Sequence, residues 1–141
     1  MAAEYFRSRA ARAGLSHVAV DSAGTLGIYD RGASPEAIEA MKEVGVDLGG
    51  HRSKGLEASG MRTADLVIVM SWDHREELAA RYPDADVDRY LLRAFEKGPE
   101  PDADPLDLQD PIGRELEFYR TQRELIMACV DHLVLFIKHL P

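Results

Sequence analysis

A chain of 141 residues is sized for one domain, 1–141, because two halves would each bury too little core to stand alone. Hydrophobic residues at 45% and charged residues at 30% are the composition of an ordinary soluble globular protein. Acids outnumber Lys plus Arg by 25 to 17, a formal charge of −8, which argues against a nucleic-acid partner, since phosphate backbones demand a clustered basic face. The longest apolar runs, Leu66–Met70 and Leu133–Ile137, fall far short of the roughly 18–20 residues of a membrane span. Glu4 stands where an export signal would be apolar, so neither membrane insertion nor export is expected. Cys129 is the sole cysteine, which excludes an intrachain disulfide framework and a cysteine-based zinc site and points to a reducing, cytoplasmic setting.

Ala2 to Ala13 is rich in Ala and Arg and predicts a helix, with Gly14 placed to end it. His17-Val18-Ala19-Val20-Asp21 is short and β-branched and predicts a strand. Ser34-Pro35-Glu36 opens a second helix with a capping serine, a proline at the first helical position and an acid in the first turn. Its apolar positions Ala37, Ile38, Met41 and Val44 share a face, and Gly45 is its stop. Leu56 to Arg62 reads as a short helix. Asp65 to Met70 is apolar without alternation, the pattern of a strand buried on both faces of a parallel sheet. A helix over Asp73–Arg81, ended by Pro83, is followed by a weaker strand over Val87–Leu92. Glu96 to Gln109, with three prolines and five acids, reads as an exposed irregular loop. Arg114 to His139 is a long amphipathic helix that turns Leu116, Tyr119, Leu125, Ile126, Cys129, Val130, Leu133 and Phe136 to the core.

Helix and strand alternate, so the class is α/β, and a parallel sheet implies helices on both faces in a three-layer α/β/α arrangement. A doubly wound sheet ordinarily opens with a strand that feeds the first helix through a ligand-binding loop. Here the chain opens with the helix, and only three strands follow.

Three local motifs carry the chemistry. Asp21-Ser22-Ala23-Gly24-Thr25 ends the first strand and precedes Gly32-Ala33-Ser34-Pro35. Gly45-Val46-Asp47-Leu48 leads to His51-Arg52-Ser53 and then to Ala64–Met70. Asp110-Pro111-Ile112-Gly113 precedes Tyr119 and the last helix. In this order and spacing the chain resembles the low-molecular-weight protein phosphatases, a family that includes phosphotyrosine and phosphoarginine phosphatases. The resemblance covers essentially all 141 residues, and Met1–Arg7 looks like the helix that follows the family's phosphate loop. It implies the phosphotyrosine phosphatase I-like fold, no metal or cofactor, a phosphorylated protein or small phosphoester as substrate, and a cysteinyl-phosphate intermediate.

The family's catalytic loop runs Cys, five residues, Arg, then Ser or Thr and Pro, directly upstream of the residues that match Met1 and Ala2. None of it lies in this sequence. By the family's arrangement, the first central strand and the nucleophile loop both lie before residue 1. A phosphoryl dianion needs several backbone N–H groups, a helix N-terminus and an arginine, and a thiolate needs the same positive field. Only the helix start at Met1–Ala3 is present. Cys129, amid Ile126, Val130 and Leu133, reads as a core residue and not as a substitute nucleophile.

The resemblance assigns Asp110 as the general acid that protonates the leaving group and then activates water; read alone, it is equally a turn or capping aspartate ahead of Pro111. Ser22 and His51 match positions that brace the phosphate loop; their plainer readings are a turn serine and a surface or satisfied core histidine. Leu26–Arg31 and Ile112–Arg114 would line the mouth. Ile112-Gly113, in place of paired tyrosines, resembles the bacterial phosphoarginine or short-loop subgroup. Three functions follow: a phosphatase whose first fifteen or so residues are missing here, so that the chain as written is inactive; a non-catalytic binding or regulatory relative, as a homodimer filling the gap with a partner's segment; and an arsenate reductase, which the single cysteine argues against. A sheet without its central strand is expected to leave a monomer of poor stability.

Overall fold

The computed structural model describes residues 1–58 and 60–141. Its sheet has two parallel strands, β1 (Leu66–Val69) and β2 (Asp88–Leu91), in register from Leu66 opposite Asp88 to Val69 opposite Leu91. The crossover between them is helix α3 (Trp72–Arg81), so β1, α3 and β2 form one βαβ unit. Side chains alternate across a strand, and here the alternation sorts two cores. Leu66, Ile68, Met70, Tyr90 and Leu92 pack into a cluster with helices α1 (Ala2–Arg12), α2 (Pro35–Lys42) and α4 (Leu116–Lys138). Val67, Val69 and Leu91 point the other way, against Leu78 of α3, Tyr82 just past its end, and Leu56 and Met61. Helices therefore cover both faces of the parallel pair.

The helix boundaries follow local chemistry. The Ser34 hydroxyl accepts from the Ala37 amide at 3.3 Å and caps α2, as its Ser-Pro-Glu start predicts. Gly14 (φ +77°) and Gly45 (φ +78°) adopt the left-handed conformation just past α1 and α2. Each lets a later amide, Leu15 N–H to the Ala10 carbonyl (2.8 Å) and Val46 N–H to that of Met41 (2.9 Å), close off the helix end. The long helix α4 packs on α1 and α2, with Ile126, Cys129, Val130 and Leu133 buried. Among the described residues no helix is long and apolar enough to cross a membrane.

Four expectations need correction. Residues 17–21 form no strand. Val18 and Val20 do lean on the main core with Ala19 exposed between them, but no neighbouring backbone supplies a ladder, and a strand exists only by pairing. The Arg7 guanidinium instead donates to the Val20 carbonyl at 2.7 Å. The sheet accordingly has two strands and not three, plus an isolated parallel bridge between Gly24 and Gly55. β1 is only half-buried over Leu66–Ile68, with Val69 fully buried, because a strand with one paired edge is not enclosed. The helix expected over Leu56–Arg62 is a single 3₁₀ turn, Leu56–Ala58, and Ser59 of that span lies outside the described residues. Within the Glu96–Gln109 loop, which is irregular as expected, Pro105 is buried and Leu108 half-buried.

Polar contacts lock α4 to its neighbours. Asp131 accepts from the Tyr5 hydroxyl at 2.8 Å and from Arg9 Nε at 3.0 Å, which joins α4 to α1. Glu43, at the end of α2, pairs with Arg120 at 2.6 Å and Arg123 at 2.7 Å, and Arg123 also donates to the Ala40 carbonyl at 2.9 Å. Hydrogen bonds from Arg120 and then Arg123 pull the Glu43 carboxyl from its ordinary 4.5 down to about 2. A depressed carboxyl pKa gives stability that is full above 4.5 and lost as pH falls towards 2. Glu43→Gln should therefore lower Tm by a few degrees at pH 7 and flatten the fall of Tm between pH 4.5 and 2; thermal melts across that range check it.

Candidate functional site

In open α/β folds, ligands sit beyond the carboxyl ends of the strands. The carboxyl end of β1 is Met70-Ser71, where α3 begins with the Ser71 hydroxyl accepting from the His74 amide at 3.2 Å. The Met70 carbonyl accepts from the Leu108 amide at 2.8 Å, which brings the loop of the third sequence motif to that strand end. Asp110 follows two residues later. It is exposed, and its Oδ1 accepts the Ile112 amide at 3.0 Å, a side-chain-closed turn ahead of α4. Gly113 (φ +75°) completes the bend, Ile112 is 74% exposed, and the Arg114 guanidinium lies 4.1 Å from the Phe118 ring centroid.

A separate wall of backbone pairing is built from residues 21–31 against 51–57. Gly24 N–H donates to the Lys54 carbonyl (2.9 Å), Asp30 N–H to that of Ser53 (2.7 Å), and Ser53 N–H to that of Arg31 (2.8 Å). The Asp21 carboxylate pairs with Lys54 Nζ at 2.5 Å and accepts the Ser22 amide at 2.9 Å. The Lys54 hydrogen bond is the chief reason that the Asp21 carboxyl lies below its ordinary value. Tyr29 crosses over Gly55 so closely that a Cβ there would stand 2.6 Å from the tyrosine oxygen, and its hydroxyl donates to Glu57 at 3.2 Å. Leu26, Ile28 and Tyr29 of this wall present apolar surface to solvent.

His51 and the start of α1 share one environment. The imidazole is half-buried, and burial, followed by the charge of the Met1 ammonium, lowers its pKa. Burial likewise lowers the pKa of the Met1 ammonium, with Glu4 opposing. Glu4 pairs with Arg7, so cationic and anionic groups alternate along this end of α1.

The expected site residues thus fall into separate surroundings. Asp110 hydrogen-bonds within its own turn, exposed Ser22 lies in the Asp21–Lys54 corner, and His51 faces the electrostatic field of α1's first turn. Sequence reasoning passed over Lys54 and the anchors of the 105–108 segment, and it placed Tyr29 only within the Leu26–Arg31 mouth, because each works through a partner more than ten residues away. The single tryptophan at position 72 and the Tyr29/Gly55 juxtaposition carry no local periodic signal. Among the described residues, no three His, Cys, Asp or Glu side chains gather as a metal site.

Cys129 lies fully buried on α4, where burial pushes its thiol up to about 11. At pH 7 almost none of it is thiolate, the form that attacks phosphorus. Native protein at pH 8 should therefore resist iodoacetamide, while protein unfolded in guanidinium is alkylated stoichiometrically; mass spectrometry reads the difference, and rapid native alkylation would contradict the burial.

Comparison with known proteins was made at the level of both sequence and fold. The family model described as low molecular weight phosphotyrosine protein phosphatase matches residues 1–140. The protein-arginine-phosphatase of Bacillus subtilis (strain 168) is 32% identical over 98% of this chain and 87% of its own length. The probable low molecular weight protein-tyrosine-phosphatase EpsP of Ralstonia nicotianae is 30% identical over 92% of this chain and 83% of its own. Among solved structures, a YwlE mutant from Bacillus subtilis superposes with a TM-score of 0.85, covering 97% of this chain and 88% of that one at 28% identity.

Proposed function

The chain belongs to the low-molecular-weight phosphotyrosine protein phosphatase family, and on that premise we propose that its site is the proton-delivering side of a phosphatase acting on phosphotyrosine or phosphoarginine. Asp110 is the general acid. A thiolate attacks phosphorus, the P–O bond of a tyrosyl ester or the P–N bond of an arginyl phosphoramidate breaks, and the Asp110 carboxyl gives its proton to the departing oxygen or nitrogen. The resulting carboxylate then takes a proton from the water that hydrolyses the cysteinyl phosphate. The observation that carries this reading is Asp110 itself: an exposed carboxyl at a loop tip, held among the described residues by the Ile112 amide of its own turn and attached through Leu108 to the end of β1. Such a group reaches a bound substrate while remaining free to exchange protons with water. Ser22 and His51 are its loop-bracing companions, and the neutral imidazole favoured at His51 suits a hydrogen-bonding role there.

The nucleophile is a different matter. The 141 residues hold one thiol, Cys129, which is buried, and the sixth residue after it is Leu135 and not the arginine of a Cys-x5-Arg loop. We therefore expect the chain by itself to turn nothing over. The same observation favours a second reading, a non-catalytic phosphatase-like module that binds phosphorylated protein.

Turnover separates the two. The 141-residue chain should hydrolyse neither p-nitrophenyl phosphate nor phosphoarginine above the buffer rate. A fusion that places a Cys-x5-Arg loop ahead of α1 should gain activity, and in it Asp110→Asn should cut kcat by about 10²–10⁴-fold. That loss should be larger with phenyl phosphate than with p-nitrophenyl phosphate, because the poorer leaving group depends more on its proton. A folded but silent fusion supports the binding module. Turnover by the 141 residues alone, insensitive to Asp110→Asn, removes Asp110 from the chemistry.

A further inference from the structure

We infer that Asp107 is a positioning residue for Asp110, acting through a clamp at the start of α3; this rests on the reading of Asp110 as the general acid. Between the 3₁₀ turn Leu92–Phe95 and α4 the chain runs about twenty residues without regular structure, and so long an unpaired segment would leave its carboxyl poorly placed. The segment is not unpaired. Asp107 Oδ1 accepts the backbone N–H of Trp72 at 2.9 Å, and the Asp107 carbonyl accepts from Arg93 Nη1 at 3.0 Å. The Pro105 carbonyl accepts the Trp72 indole N–H at 2.9 Å, and the Leu108 amide donates to Met70 at 2.8 Å. Four hydrogen bonds thus hold residues 105–108 to residues 70–72 and 93.

The donors are themselves fixed. Arg93 is forked onto Glu96 at 3.1 and 3.2 Å, and Arg75 lies 5.4 Å from the Trp72 ring centroid. Trp72 opens α3, so its N–H has no partner within the helix, and an anionic carboxylate is favoured at that positive end. Beyond Leu108 the restraint stops. Two residues of chain extend at most about 7 Å, so the Asp110 backbone is confined to roughly that distance from Leu108 while its side chain keeps a single partner. The clamp sets where the acid is delivered, and the turn leaves it free to exchange its proton.

The 141-residue chain carries the test without any turnover. Trp72 is the only tryptophan and reports the clamp by its emission, and the Ile112 amide shift reports Asp110, because that amide donates to its carboxylate. Asp107→Ala should red-shift Trp72 emission, raise Leu108 amide exchange about tenfold and shrink the pH-dependent shift of the Ile112 amide. Asp107→Asn, whose amide oxygen accepts the same bond, should keep most of all three. If Asp107→Ala fails to fold, Trp72→Phe keeps the backbone donor, loses the indole one and should give a partial loosening of Leu108 and Ile112. Looser Trp72 and Leu108 with an unchanged Ile112 titration would make the clamp purely structural and overturn the inference. So would an asparagine variant as loose as the alanine one, or no response to any substitution. Failure of the phosphatase reading shows only as loss of turnover in the fusion, a separate measurement.

Discussion

Everything in this molecule is arranged around a parallel strand pair too narrow to protect itself. Two strands present two apolar faces, and neither can be left to water. Leu66 and Ile68 commit one face to α1, α2 and α4, while Val67 and Val69 commit the other to α3, Leu56 and Met61. Once both faces are covered by helices, the unpaired strand edges and the strand ends are the remaining open places for polar groups. At the carboxyl end of β1, Met70, Ser71 and Trp72 offer a carbonyl, a capping hydroxyl and a helix-start amide within three residues. The Asp110 loop attaches there through Leu108 and Asp107, which take up the Met70 carbonyl and the Trp72 amide.

Electrostatics distinguish the surroundings of the expected site residues. The chain is acidic overall at −8, yet His51 feels the Met1 ammonium, Arg52 and Arg7 as cations, with Glu4 as the local counter-charge. Burial first and these cations second act against an imidazolium and lower the His51 pKa. Elsewhere Lys54 pairs with Asp21, and Tyr29 closes over Gly55.

What the sequence made legible was whatever a few neighbouring residues decide. Ser34-Pro35 caps α2, Gly14 and Gly45 stop helices by accepting a left-handed backbone, and the 3.6-residue pattern of α4 picks out its buried face. Asp110 was legible as a turn aspartate from its contiguous motif, while its reading as an acid rests on two preceding motifs in series. Illegible were features set by pairing at a distance. Val18-Ala19-Val20 has the right alternation for a half-buried strand and lies as one against the core, but no local rule reveals whether a ladder partner stands beside it. The half-exposure of β1 has the same origin. The Trp72–Asp107 contact spans 35 residues, and nothing about either residue's immediate neighbours announces the other.

The anchoring of the acid loop and the burial of Cys129 bear on one another. An acid helps phosphoryl transfer only if its proton arrives where the leaving group departs, so restraint at residues 105–108 has value only against a nucleophile fixed on the opposite side of phosphorus. Cys129 cannot be that partner: it sits in the main core between α4 and its neighbours, with a thiol pushed up to about 11. On the reading proposed above, the start of α1, whose first amides carry the positive end of the helix dipole, would face the phosphoryl group while the clamped loop brings the proton.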